Sequence, residues 1–203
     1  MLHMLSALPK NITVAFSGGV DSVAVTDFLS RKHNVECAFF HHGTEDSDNG
    51  LAFVERFCDE RSLKLTVGKI SRIKDKNSST EEFWRNERYS FLEKIDMPVV
   101  TAHNLDDCIE TYLFSSLHGT AKTIPYRRNN VVRPFLLTHK NEFVSWCLRK
   151  KVDWYEDRSN TDTRYMRNYI RHQLMPHALV VNPGLAKLVA KRVRQSYNET
   201  QLA

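Results

Sequence analysis

The chain has 203 residues, of which 41% are hydrophobic and 26% are charged, an ordinary balance for one α/β domain with a small appendage. No run of 18 apolar residues occurs, which argues against a membrane span, and the four widely spaced cysteines form neither a CxxC motif nor a zinc-ligand pattern. Strand-like sequence begins by Ile12 and no secretory signal precedes it, so we expect a cytoplasmic protein with reduced thiols.

The formal net charge of +5 is unevenly distributed along the chain. Residues 1–121 contain 13 basic and 18 acidic side chains, whereas residues 122–203 contain 16 basic and 6 acidic ones. A basic half beside an acidic half indicates that the second half faces a polyanion, although basic helices are also common simply because they are soluble.

Short β-branched runs alternate with longer amphipathic stretches, which predicts a doubly wound parallel sheet with helices on both faces. Five strands are predicted, at Ile12–Phe16, Val35–Phe40, Leu63–Ile70, Val99–Ala102 and Val131–Val132. Helices are predicted at Asp21–Arg31, Leu51–Arg61, Ser79–Ile95, Leu105–Leu117, Lys140–Lys151, Asp162–Met175 and Gly184–Gln195. The strand pattern ends near residue 133, where we place a boundary with a small helical extension.

The hexapeptide between the first strand and the first helix is the most informative motif. It consists of Ser17, Gly18, Gly19, Val20, Asp21 and Ser22. The glycines let the backbone approach a ligand closely, and the N–H groups at the start of the helix point toward an anion. Asp21 suits such a site if a divalent cation lies between its carboxylate and the phosphates. The lysine of GxxxxGK[ST] is missing, so the motif is not a Walker A loop.

Two further motifs follow strands at the same predicted edge of the sheet. His42 and Gly43 follow the second strand, and His103, Asp106 and Asp107 follow the fourth. Ligands of open α/β sheets collect at this edge, which favours a role in binding or chemistry. The alternatives are that the carboxylates cap a helix and that the histidine packs in the interior.

The predicted helix that contains STEEFWRNERY places Arg85 and Arg88 on one face, since the two residues are three apart. Two guanidinium groups on one face are suited to holding phosphates. They are equally able to pair with Glu81 and Glu82 on the same helix.

Together these segments resemble the tRNA(Ile)-lysidine synthetase family, which belongs to the N-type ATP pyrophosphatases of the PP-loop superfamily. The resemblance is carried by SGGVDS, FFHHGTEDSDN, STEEFWRNERY, TAHNLDDCIET, VVRPFL and WYEDRSNTDTRYMRNYIRHQLMP, in order over residues 12–176. The sulfur-transferring relatives typically carry paired cysteines, and NAD and GMP synthetases lack the last of these segments.

The resemblance implies an adenine nucleotide α-hydrolase-like domain over residues 1–133 and a basic extension over residues 134–203 that faces tRNA. It also implies a ligase that uses ATP and Mg²⁺ to adenylate the wobble cytidine of an isoleucine tRNA with a CAU anticodon. Free L-lysine then attacks the activated base, and AMP and pyrophosphate are released.

Site residues follow from the resemblance position by position. ATP binding is assigned to Ser17, Gly18, Gly19, Val20, Asp21, Ser22, His42 and Gly43. Catalysis is assigned to Asp21, Arg85, Arg88, His103 and Asp107, with Asp21 and Asp107 also placed near Mg²⁺. Contact with tRNA or lysine is assigned to Asn160, Arg167, Asn168 and Arg171. Trp154 and Tyr155 are expected either to stack on a flipped base or to pack in the core.

Two departures from the family pattern leave alternatives open. An Arg-Gly-x-Gly-like stretch is usual after the fourth-strand helix, but this chain has His118-Gly119-Thr120-Ala121. Family members also usually continue into C-terminal domains that grip the tRNA body. The tRNA would then be held by the basic half of the chain, or by a homodimer or another partner. Alternatively, the substrate is smaller than a tRNA. The alternatives in function are a related ATP pyrophosphatase that modifies another base or nucleotide, and a non-catalytic tRNA- or nucleotide-binding module.

Overall fold

A single six-stranded sheet forms the centre of the computed structural model, which describes residues 2–74, 79–156 and 162–202. The strands are β1 (Asn11–Ala15), β2 (Asn34–His41), β3 (Leu65–Lys69), β4 (Val99–Val100), β5 (Arg127–Arg128) and β6 (Val131–Val132). Their order across the sheet is β3-β2-β1-β4-β6-β5, and all neighbours are parallel except β5 and β6. The predicted fold class, a doubly wound and mainly parallel α/β sheet, is confirmed.

The order of the strands reverses at β1, which is the central strand of the sheet. Val14 of β1 is paired with Cys37 of β2 on one side and with Val100 of β4 on the other. In open α/β sheets such a reversal leaves a crevice at the carboxyl ends of the two strands, because the connections leave in opposite directions. The crevice here lies beyond Ala15 and Val100.

The predicted number of five strands was wrong, because the structure adds the short antiparallel strand β5. A tight turn connects β5 to β6, and Asn129 in this turn adopts a left-handed conformation with φ of 53°. Arg127 and Arg128 carry no apolar signal, so a two-residue exposed strand is invisible to a pattern of hydrophobicity.

The helices cover both faces of the sheet. They are α1 (Val20–Ser30), α2 (Glu45–Glu60), α3 (Thr80–Leu92), α4 (Leu105–Leu117), α5 (Lys140–Lys150), α6 (Met166–Tyr169), α7 (Met175–Val181) and α8 (Leu185–Leu202), with a π-helical turn (Ile170–Leu174) between α6 and α7. The long helix predicted over Asp162–Met175 thus begins later and is interrupted by the π-turn. Within the described ranges, no helix is both long and apolar enough to cross a membrane.

Alternating side chains of the strands divide the core between the two faces. One face holds α1, α2 and α5, which pack on β1 and β2 through Val23, Leu29, Val54, Phe57, Phe143 and Trp146 together with Ile12, Val14 and Cys37. The opposite face holds α3, where Tyr89 and Leu92 pack on Ala38, Val99 and Val131. The alternation follows directly from the two-residue period of a strand.

The C-terminal helices pack against the sheet domain. Helix α8 buries Leu185, Val189 and Val193 against Leu105 and Ile109 of α4. The backbone also connects the two parts, since Leu105 N–H donates to the carbonyl of Thr138 at 2.9 Å. The division into domains at residue 133 remains a prediction.

Candidate active site

A cavity of about 400 Å³ lies at the carboxyl ends of β1, β2 and β4. This volume falls in the range of small-molecule sites, roughly 300–1,000 Å³. Of the residues predicted from the sequence, its wall contains Ser17, Gly19, Asp21, Ser22, His42, Arg88, His103, Asp107, Tyr155 and Arg167. The fold thus brings together residues from the two ends of the sequence at the crevice that the strand order creates.

The phosphate loop (Ser17–Ser22) is held in shape by its own side chains. Ser22 is 4% exposed, and its hydroxyl donates to the carbonyl of Gly19 at 2.9 Å and accepts from Ser17 N–H at 3.2 Å. Gly19 caps α1 without a side chain, so the first N–H groups of the helix are directed at the cavity with no side-chain acceptor. The loop is therefore suited to an anion, and Ser22 serves mainly to shape it.

The chain segment that follows α5 closes over the phosphate loop. Tyr155 N–H donates to the carbonyl of Gly18 at 2.9 Å. Gly18 has φ of +81°, and a Cβ atom built on it would lie 3.0 Å from Cδ1 of Phe53 and 3.5 Å from Cβ of Tyr155. A glycine is needed here both for the left-handed backbone and for the close approach of these side chains. The neighbouring Trp154 packs partly against the core under α1 and α2.

Asp21 is the most perturbed acid in the cavity. Burial raises its pKa from 3.8 to about 6; Lys140 opposes this shift, and the nearby Asp107 adds to it. Its Oδ2 accepts from Asn104 Nδ2 at 3.2 Å, while its Oδ1 is buried and has no hydrogen-bond partner. A buried carboxylate oxygen without a partner is costly unless a cation or donor from a ligand satisfies it.

Asp107 is fixed at the start of α4 by a capping box with Asn104. Asn104 Oδ1 accepts from Asp107 N–H at 3.0 Å, and Asp107 Oδ2 accepts from Asn104 N–H at 3.0 Å. The second carboxylate oxygen of Asp107 lies 3.3 Å from Nη2 of Arg171. The capping alternative for these carboxylates therefore holds for Asp107, which nonetheless lines the cavity with Asp21.

Arg171 is held by acids on α4. It binds Glu110 through two hydrogen bonds, Nε to Oε1 at 2.5 Å and Nη2 to Oε2 at 3.2 Å. Glu110 is only 3% exposed, and burial raises its pKa although Arg171 opposes that shift. The pair anchors the π-turn to α4, so Arg171 shapes this end of the site and does not itself line the cavity.

The opposite wall of the cavity is basic. His103 shares a hydrogen bond with the hydroxyl of Thr101 (2.8 Å from Nδ1 to Oγ1). Burial, followed by the charges of Arg133, Arg88, Arg167 and Arg85, holds the pKa of His103 well below its usual value of 6.5. Its ring is therefore neutral at physiological pH. The cavity thus has an acidic side at Asp21 and Asp107 and a basic side at Arg88 and Arg167, next to the neutral ring of His103.

His42 closes the cavity on the side of β2. Its ring contacts Trp84 of α3 with 5.3 Å between ring centroids and Phe40 with 5.1 Å. Its backbone N–H donates to the hydroxyl of Ser47 at 3.2 Å. Aromatic side chains that line a cavity in this way suit a planar ring such as a base.

Some predicted site residues lie outside the wall of the cavity. Gly43 is exposed and donates its N–H to Nδ1 of His41, and Val20 packs on the core. Asn168 is buried and donates to the carbonyl of Asp162 at 3.0 Å. Arg85 lies over the ring of Tyr89, 5.0 Å from its centroid. Asn160 lies outside the described residues.

The sequence interpretation missed four residues that shape the site. Asn104 and Glu110 had detectable signals, because Asn104 precedes Asp107 at capping-box spacing and Glu110 is three residues further on the same helix face. Tyr89 lines the cavity, and Arg133 donates to its hydroxyl oxygen from a fully buried position. Arg133 follows the apolar strand β6, and nothing in the sequence indicated that its side chain turns inward.

The residues present fit a nucleotide with a divalent cation. Mg²⁺ is usually held by one or two carboxylates together with substrate phosphates, not by a cage of protein ligands alone. The unpartnered Oδ1 of Asp21, within the phosphate loop, matches this mode. The described residues contain no group of three or more acidic, histidine or cysteine side chains that could hold a metal by themselves.

The strand order, the glycine loop ahead of α1 and the two-sided cavity define an α/β protein with a loop suited to phosphate. The chain belongs to the PP-loop domain family, whose model matches residues 3–178.

Among curated proteins, this chain is similar to the tRNA(Ile)-lysidine synthase of Thermosipho africanus, with 32% identity over 200 residues. It is similar to the protein of the same name from Haemophilus ducreyi, with 28% identity over 205 residues. These matches cover 90% and 95% of this chain but 47% of each relative, so the chain spans about half of their length. Among solved structures, an NH3-dependent NAD synthetase from Campylobacter jejuni, in complex with the nitrate ion, shares the fold, with a TM-score of 0.53, 14% identity and coverage of 94% of this chain and 87% of that one.

Proposed function

We propose that this protein is an ATP-dependent ligase that converts the wobble cytidine of an isoleucine tRNA to lysidine. In the first step the cytidine O2 attacks the α-phosphate of ATP and pyrophosphate leaves. In the second step the amine of free L-lysine attacks C2 of the activated base and AMP leaves. Adenylation is needed because an unactivated carbonyl oxygen is a poor leaving group. The names of the relatives and the composition of the cavity support this proposal.

The observation that carries the proposal is the Oδ1 atom of Asp21. It is buried in the phosphate loop and has no hydrogen-bond partner. A protein that merely retained the fold would gain stability by replacing this acid, since burial and Asp107 both raise its pKa. Its retention favours turnover over a simple binding role. Mg²⁺, held by Asp21 and Asp107 with the phosphates, would supply charge neutralisation at the reacting phosphate.

The side chains of the cavity then have different roles in the reaction, according to their charge. The N–H groups at the start of α1 and the hydroxyl of Ser17 bind the pyrophosphate part of ATP. On the basic side, Arg88 and Arg167 stabilise negative charge that develops at the α-phosphate. The neutral ring of His103 is able to accept a proton from the attacking amine. On the β2 side, His42 contacts the adenine ring.

The test is release of pyrophosphate from ATP in the presence of an isoleucine tRNA transcript with a CAU anticodon. The reaction is run with and without free lysine, and the tRNA is then digested for nucleoside analysis. A methionine tRNA transcript with the same anticodon is the matched control for tRNA identity. Lysine-dependent formation of lysidine only in the isoleucine transcript is the expected result.

Other outcomes separate the alternatives. If pyrophosphate is released without formation of lysidine, and other bases or nucleotides stimulate that release, the protein is a related ATP pyrophosphatase with another substrate. ATP and tRNA binding without any pyrophosphate release would identify a binding module. Activity that appears only at protein concentrations where the chain self-associates would indicate that a second copy supplies the grip on tRNA.

A further inference from the structure

Arg133 is the bulkiest fully buried side chain of the described chain, with 1% of its surface exposed. It directly follows β6. Its Nη1 donates to the carbonyl of Pro125 at 2.8 Å and its Nη2 donates to the hydroxyl oxygen of Tyr89 at 2.9 Å. Its Nε is buried and has no partner. In the part of the chain that the structure describes, no carboxylate forms an ion pair with this guanidinium.

A buried guanidinium without a carboxylate is an unfavourable arrangement. Two hydrogen bonds to neutral oxygens do not replace its hydration, and an apolar side chain of similar length would fill the same space at less cost. Stability therefore does not account for Arg133, and its charge is the property that needs an explanation.

The charge of Arg133 acts on two residues in the wall of the cavity. The first is Tyr89, which is 2% exposed, and whose ring centroid lies 5.8 Å from the guanidinium. Burial would raise the pKa of Tyr89, but the charge and hydrogen bond of Arg133, with help from Arg85 and Arg88, lower it overall. The second is His103, on whose pKa Arg133 has the largest effect after burial itself.

We propose that Arg133 is a positioning residue, which fixes the phenol of Tyr89 in the cavity wall and directs its positive charge at the ring of His103. It acts through these two residues and does not itself line the cavity. The other cations that face His103 are Arg85 and Arg88 of α3 and Arg167 of α6. Those three are at least partly exposed to solvent, so Arg133 is the member of the set that solvent and salt screen least.

A consequence of this arrangement is that the lowered pKa of His103 keeps its ring unprotonated over the pH range in which an enzyme of this kind works. With Arg133 replaced by a neutral side chain, protonation of His103 becomes easier and its midpoint of titration rises. Because the proposed reaction needs the neutral ring, the acid limb of the rate profile moves to higher pH in the same variant.

The experiment is an NMR titration of the His103 ring in the full chain, with His103→Gln used to assign its signals. Arg133→Met removes the charge, Arg133→Lys retains it, and Tyr89→Phe removes only the hydroxyl that Arg133 holds. We expect the His103 midpoint to rise by about one pH unit in Arg133→Met. It should stay at the wild-type value in Arg133→Lys and Tyr89→Phe. A role confined to packing would alter stability in these variants but leave the midpoint where it is.

The kinetic part of the inference rests on the proposed function, whereas the titration does not. Failure of lysidine formation in the wild-type protein would remove the proposed reaction and leave the coupling between Arg133 and His103 measurable. A folded Arg133→Met protein with an unchanged His103 midpoint would overturn the inference, as would an equal rise in Arg133→Lys. If Arg133→Met does not fold, Arg133→Gln, which retains hydrogen-bond donors without the charge, gives the same two decisive outcomes.

Discussion

Replacing Gly18 by alanine is expected to weaken the fold and the phosphate loop together. With φ of +81°, alanine at this position adopts a left-handed conformation that costs about 1–2 kcal/mol. The added Cβ would lie 3.0 Å from Cδ1 of Phe53, so this partly buried ring must shift by a few tenths of an ångström. We expect the free energy of unfolding to fall by about 2 kcal/mol in total.

Two other glycines provide matched controls. Gly119 has φ of +77° but no atom within 4 Å of a built Cβ. Gly119→Ala should therefore lose about 1 kcal/mol of unfolding free energy, from backbone strain alone. Gly19 has φ of −69° and its nearest neighbour to a built Cβ is Oγ of Ser17 at 3.6 Å. Gly19→Ala should therefore keep or slightly raise stability, yet it places a methyl group where the loop faces the cavity.

Urea denaturation and calorimetric titration with ATP test this series. Unfolding free energies should increase in the order Gly18→Ala, Gly119→Ala, Gly19→Ala. The affinity for ATP should fall in both loop variants and remain unchanged in Gly119→Ala. Equal stability of Gly18→Ala and Gly119→Ala would refute the argument from crowding at Phe53. Unchanged ATP affinity in Gly19→Ala would refute the assignment of the loop to phosphate binding.

Three further expectations concern the cavity. Asp21→Asn should abolish pyrophosphate release and yet raise the free energy of unfolding at pH 7 by about 1–3 kcal/mol, because burial raises the pKa of Asp21 to about 6 and penalises its ionised form. That gain should shrink as pH falls from 6 to 4, and a pH-independent gain in urea melts would contradict it. Glu110→Ala should lower the unfolding free energy by about 3 kcal/mol, because it removes a buried side chain and leaves Arg171 without both hydrogen bonds to it. The double variant with Arg171→Met should recover part of the loss, and strictly additive losses would exclude coupling. ATP should change the tryptophan fluorescence of the protein through Trp84, whose ring contacts His42. An undiminished change in fluorescence in Trp84→Phe would show that another tryptophan responds to ATP.

The sequence predicted best those elements whose ends carry their own capping chemistry. Helix α4 was predicted over Leu105–Leu117, the range that the structure shows, and Gly119 follows its end; the structure adds the capping box of Asn104 at its start. Helix α2 was predicted to begin at Leu51 but begins at Glu45. Its first turns are polar, and its cap, the side chain of Thr44, satisfies Ser47 N–H without any apolar periodicity to reveal it.

The π-turn at Ile170–Leu174 could not be predicted, because its extra residue per turn leaves no trace in a short apolar pattern. The turn contains Arg171, which is held by Glu110 of α4, and spacing along the chain does not reveal such a tertiary contact. Strand β5 was not predicted for a related reason. It is defined by its pairing with β6, and Arg127 and Arg128 give no apolar pattern.

For the site, the sequence located the motifs but not the division of labour among them. Ser22 was predicted to bind ATP, and in the structure without ligand its hydroxyl donates within the loop. Arg171 was predicted to contact tRNA or lysine, and its guanidinium is paired with Asp107 and the buried Glu110. Both roles stay predictions. Such internal pairings depend on which groups the fold places within 3 Å of each other, and spacing along the chain does not contain that information.

The hydrogen bond from Tyr155 to the carbonyl of Gly18 has a consequence for the order of events during synthesis. The loop leaves the ribosome well before Tyr155, which is added more than one hundred residues later. At typical elongation rates of about 5–20 residues per second, this delay is on the order of ten seconds. A nascent chain should therefore remain unable to retain nucleotide until Tyr155 has emerged and paired with the loop.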